Sequence, residues 1–93
     1  MLVEFTAPLA RFTHGRGTYH LVTLPEETSD LINYLPLARH GFNSIKVTAE
    51  IGETTWKTSL FPSGESFILL VAKKLIAKET LWVGHPVHIT LEV

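Results

Sequence analysis

The chain has 93 residues and a mass of 10.4 kDa, room for one hydrophobic core, so a single domain over residues 1–93 is expected. Hydrophobic residues make up 45% and charged residues 18%, which excludes a disordered chain. Eight Lys+Arg against nine Asp+Glu leave a formal charge of -1, so the broad positive field that draws proteins onto nucleic acid or anionic lipid is missing. Cysteine is absent, which removes disulfides, a thiolate nucleophile, iron–sulfur clusters and Cys-type zinc sites, and fits a reducing cytoplasm. Residues 1–8 include Glu4 and no basic stretch, and the apolar run Phe67–Ala72 falls far short of the ~20 residues that span a bilayer. Neither export nor a membrane segment is expected.

Thr, Val and Ile number 11, 7 and 6, and these β-branched side chains favour pleated strands over helices. Val3, Phe5, Ala7 and Leu9 alternate with polar residues or proline, which predicts a strand from Val3 to Leu9. Pro8 lacks the N–H a ladder needs, so the strand is expected at an edge or bent there. His14-Gly15-Arg16-Gly17 reads as a turn, and a strand returns over Thr18–Leu24. Leu24-Pro25-Glu26-Glu27 starts a short helix, because proline suits the first helical position and acids favour the positive end of the helix dipole. Its predicted buried stripe is Leu31, Ile32 and Leu35, and Pro36 ends it.

The cleanest alternation runs from Ser44 to Ile51, with Ile45, Val47, Ala49 and Ile51 on one face. Gly52-Glu53 gives a hairpin turn, and Trp56, Thr58 and Leu60 share a face of the returning strand until Phe61-Pro62-Ser63-Gly64. Ser66–Val71 is apolar on both faces, so that strand is central or lies in an interface. A short helix over Lys73–Glu79 turns Leu75 and Ile76 inward. Val87, Ile89, Leu91 and Val93 alternate in a final strand. The expected fold is mainly β, a small six-stranded barrel with two short helices.

The segment Trp56-Lys57-Thr58-Ser59-Leu60-Phe61-Pro62, a glycine turn, Phe67-Ile68-Leu69-Leu70-Val71, a lysine-bearing helix and Val83-Gly84-His85-Pro86-Val87-His88-Ile89-Thr90-Leu91-Glu92 together resemble the bacterial domain of unknown function family 1905. The resemblance reaches back to the helix start at Leu24-Pro25-Glu26. It implies a double-split barrel like that of AbrB-like and SpoVT-like proteins, and it implies no established activity. The sequence departs from the family pattern in two places. Gly84-His85 replaces a Gly-Asp turn, so the local cap of the acid is expected to be lost or replaced. Ile76 and Thr80 stand where the family tends to carry arginine and glycine. Threonine suits a left-handed helix terminus poorly, so this helix is expected to end differently.

The candidate chemistry is sparse. His14, His20, His40, His85 and His88 show no spacing that forces three or four metal ligands together, so no metal or cofactor is expected. Ser63-Gly64-Glu65-Ser66 runs from turn to strand, opposite to a nucleophile elbow. Glu26, Glu27 and Asp30 suit a first helical turn. Trp56, Trp82 and His88 are the candidate ligand-binding residues, Trp82 because it falls in a loop beside Val83. Lys73, Lys74 and Lys78, extended by Arg11 and Arg16, form the only candidate basic patch, partly offset by Glu79. The mean hydropathy of +0.20, with the two-faced strand, points to a homodimer or a protein partner. The reading that follows is a non-catalytic cytoplasmic barrel module working through protein–protein or small-ligand contact. Its alternatives are an AbrB-like nucleic-acid-binding regulator, and an enzyme using a barrel-mouth pocket with His20 or His88.

Overall fold

The computed structural model describes residues 1–93. Its strands are β1 (Leu2–His14), β2 (Gly17–Thr23), β3 (Ile45–Ile51), β4 (Thr54–Ser63), β5 (Ser66–Leu70) and β6 (Pro86–Glu92), with helices α1 (Glu26–Tyr34) and α2 (Lys73–Lys78). A single 3-10 turn at Gly41–Asn43, which the sequence pattern does not signal, precedes β3. The strands close into an antiparallel barrel in the order β1-β2-β5-β4-β3-β6. Val3, Phe5, Ala7, Leu9, the odd-numbered residues of β3 and Val87, Ile89 and Leu91 all point inward and are buried, as their period of two requires. No helix is long and apolar enough to cross a membrane.

Two three-stranded sheets, β6-β1-β2 and β3-β4-β5, meet along two short seams. Leu21, Val22 and Thr23 pair with Leu70, Leu69 and Ile68 at one, and Thr48, Ala49 and Glu50 pair with Glu92, Leu91 and Thr90 at the other. The hairpins inside each sheet are built alike. His14↔Gly17, Ile51↔Thr54 and Ser63↔Ser66 pair across two-residue loops whose first member is a glycine with φ of 60, 57 and 62°, the requirement of a type II′ turn. Gly52 carries a second constraint. The Glu79 carboxylate lies where its Cβ would be and accepts a hydrogen bond of 2.6 Å from Thr54 Oγ1, fastening the end of α2 to the β3–β4 hairpin.

β1 is longer than the alternation over Val3–Leu9 indicates, because it changes partner midway. Leu2–Pro8 pairs with β6 and Leu9–His14 with β2. Pro8 therefore lies inside a closed ring and not at an edge. It faces Pro86, where neither residue has an N–H to lose, and the ladder between β1 and β6 ends there. The Leu9 N–H instead donates to the His85 carbonyl at 3.1 Å, and the Leu9 carbonyl accepts from Gly84 at 2.7 Å. The Gly-Asp turn thus has a main-chain replacement: His85 N–H donates to the Trp82 carbonyl at 3.1 Å across a turn with Gly84 at φ 87°.

The buried stripe of α1 differs from the expected one. Ile32 is buried, but Leu31 is exposed and Leu35 only half-buried, and the fully buried partner of Ile32 is Ser29. Leu24 N–H donates to the Phe67 carbonyl at 2.9 Å, the last ladder bond of β2 before Pro25 turns the chain into the helix. The reciprocal N–H, that of Phe67, donates to Ser29 Oγ at 3.3 Å. A helical hydroxyl thus completes the ladder where the strand stops. Outside it, the Arg39 guanidinium lies 5.3 Å from the Phe67 ring centre and donates to the Asn33 side-chain oxygen and the Asn43 carbonyl, locking the loop after α1 to the barrel end.

The end of α2 also departs from expectation. Thr80 takes the left-handed conformation that glycine would, with φ 53°. Its N–H donates to Ala77 at 3.4 Å and the next, from Leu81, donates to Ile76 at 2.9 Å, the bond pair of a Schellman motif. Leu81 and Ile76 both pack on the core, and this contact supports the strained threonine. Thr80→Gly is expected to stabilise the fold by about 1 kcal/mol by relieving the Cβ clash, read as a rise of a few degrees in the thermal midpoint. Ser29→Ala leaves the Phe67 N–H without a partner and is expected to cost roughly 1–2 kcal/mol, lowering the midpoint in the same calorimetric scan.

Candidate functional site

The two helices sit at opposite ends of the barrel, because α1 follows β2, α2 follows β5, and these strands run antiparallel. The α1 end is closed by Ile32, Ser29 and Phe67. Within α2 only Leu75 is buried, and two grooves open beside the helix.

Trp56 stands at this mouth. Its position on the core face of β4 sets it opposite Ala49, whose small side chain leaves room for the indole, and the ring is half-buried against the core. Two grooves meet on it. One, of about 400 Å³, runs past Thr18, His20, Thr58 and Lys73. The other, of about 340 Å³, is lined by Thr54, Lys74, Leu75 and Lys78. Neither is lined by an acidic side chain, and nearby Glu79 is engaged by Thr54. The arrangement offers a flat apolar surface edged with ammonium groups and threonine hydroxyls, suited to holding a ring and a negative charge together.

The structure thus brings Trp56 together with Lys73, Lys74 and Lys78, and places Trp82 and His88 elsewhere. Trp82 is 65% exposed in the loop that leads to Gly84. His88 points outward from β6, with Nδ1 3.2 Å from Thr6 Oγ1 and Nε2 3.5 Å from Glu4 Oε1, both side chains well exposed, a pairing of little energetic weight in water. His20, read from the sequence only as one option for a catalytic group, lines the larger groove; it makes no side-chain hydrogen bond to Thr18, Thr58 or any acid. No three His, Cys, Asp or Glu side chains converge in a way that could hold a metal ion. The sequence pattern sets Thr58 on the Trp56 face but names neither it nor Thr54 as a binding residue; the signal for both is their parity with Trp56 on the inward face of β4.

No curated protein and no solved structure matches the chain. A family model described as Domain of unknown function (DUF1905) matches residues 5–91, a span that takes in β2 to β5, both helices, the Trp56 mouth and most of β1 and β6, and the chain belongs to that family.

Proposed function

We propose that this barrel is a non-catalytic binding module whose ligand is a small molecule combining a flat apolar ring with a negative charge, seated on Trp56. The observation that carries the reading is the meeting of two acid-free grooves on one half-buried indole, with Lys73 on one side and Lys74 and Lys78 on the other. The apolar surface supplies most of the affinity and the ammonium groups set orientation and select charge. A chain without cysteine suits such a role in the cytoplasm.

A second reading, an AbrB-like regulator that grips a nucleic-acid backbone, draws on one further feature. No acid occurs between Glu4 and Glu26, while Arg11 and Arg16 lie in that stretch, on the β1–β2 hairpin that rises beside the same mouth. The overall charge of -1 weighs against it.

Trp82→Phe leaves Trp56 as the sole indole, so its fluorescence reports the cleft directly. Titration with adenosine monophosphate, benzoate and uncharged adenosine is expected to give saturable quenching by an anion and little by the neutral nucleoside. Lys74→Glu is expected to weaken that binding at least about tenfold, the size of one charge-assisted contact. No saturable change with any anion, or equal binding to the Lys74→Glu protein, overturns the small-anion reading. Binding confined to single-stranded DNA, with steep loss as salt rises, would favour the regulator instead.

A further inference from the structure

The outer wall of the barrel divides into two chemically different halves. Over β1, β6 and β3 it carries Glu4, Glu92, Lys46 and Glu50. Over β1, β2 and β5 it carries Phe12, Tyr19, Leu21, Thr23, Ile68 and Leu70, with no Lys, Arg, Asp or Glu among the outward positions. A shallow groove of about 410 Å³ crosses this second half.

The aromatic part of the face belongs to a ribbon. Beyond Leu9 and His20 the two strands pair only with each other, and every residue from Ala10 to Arg16 is exposed. A two-stranded ribbon on its own is marginal in water, and its free edges are open to pairing. Phe12 and Tyr19 are cross-strand partners on its outer face, 54% and 50% exposed, and Leu70, beside Leu21, is 41% exposed. Phe12 also stacks on His14 with ring centres 6.3 Å apart, and Tyr19 folds over Gly17, so both large rings are held in place before any partner arrives.

We propose that this face is covered by a second copy of the same chain in a twofold dimer. A twofold interface sets a patch against itself, which a charged patch resists and an uncharged apolar one permits. The charged half of the wall would bring Glu4, Glu50 and Glu92 against their own kind. The exposed parts of Phe12, Tyr19, Leu70, Thr23 and Ser63, with the half-buried Leu21 and Ile68, offer roughly 500 Å² per copy, so two copies remove on the order of 1,000 Å², the lower limit for a specific interface. Tyr19 and Leu70 line both this groove and the larger groove at Trp56, so the second copy also forms an outer wall of the candidate ligand cleft. The dimer needs no ligand.

Sedimentation equilibrium of the whole chain over micromolar to millimolar concentration is expected to give a mass approaching twice 10.4 kDa. Phe12→Asp, at an exposed position, is expected to keep the native circular dichroism and to weaken dimerisation at least about a hundredfold by setting carboxylates in an apolar interface. Tyr19→Lys repeats the test from the partner strand should the first variant fail to fold. Glu50→Lys, on the other half of the wall, and Lys74→Glu, which tests the ligand cleft, are expected to dimerise like the native chain. A native mass of 10.4 kDa at every concentration overturns the proposal, as does undiminished dimerisation of folded Phe12→Asp or Tyr19→Lys. A monomer that captures an extended peptide or a different protein on this face also overturns it.

Discussion

Closure of the ring at its two short seams is the constraint on which the rest of the molecule depends. Each three-stranded sheet has a face too apolar to leave in water, and neither could bury it alone. The pairing of Leu21–Thr23 with β5 and of Thr48–Glu50 with β6 turns two half-covered sheets into one enclosed interior. Because these seams are short, the long strands overshoot them. β1 and β2 continue past one as a free ribbon, and β4 continues past the start of β3, where Pro62 sits without interrupting a ladder. The overshoot creates the surfaces on which function can be built.

The ends of the ring are treated differently for the same reason. At one end the chain passes directly from β2 into α1, and Ser29 supplies the hydrogen bond that the missing strand residue would have made. That end is filled. At the other, α2 is only Lys73–Lys78, too short to cover the opening, and its lysines border the exposed part of the indole instead of solvent alone. The positive edge of the cleft and its apolar floor are thus both products of a helix that stops early, held by Thr80 and by the Glu79 contact with Thr54.

What the sequence reveals and what it hides follow from the range of the forces involved. Alternation is a local signal, so the inward residues of β3, β6 and the first half of β1 are legible from spacing alone, and the two-residue glycine turns fix the hairpins. Ser29 is not legible, since a serine in a helix reads as surface until Phe67, 38 positions away, is known to need an acceptor. Leu31 and Ile32 are equally apolar, and only the angle of α1 to the barrel decides which is buried. Thr80 is a case where local propensity is overridden: the contact of Leu81 and Ile76 with the core outweighs the strain. For the cleft, Trp56 and the lysines can each be noticed in the sequence, but their convergence depends on α2 folding back over the β3–β4 hairpin. His88 attracts notice for its residue type and Trp82 for its place in a loop, and neither signal says how far the side chain lies from the Trp56 cleft.

The first half of β1 has only one neighbour over Leu2–Pro8, and that neighbour is β6, the final strand. During synthesis this segment is made before the other strands of the barrel and waits for β6 before it can be paired, with Val3, Phe5 and Ala7 unprotected meanwhile. Such a topology has many contacts between distant parts of the chain, which slows folding and lengthens exposure to aggregation.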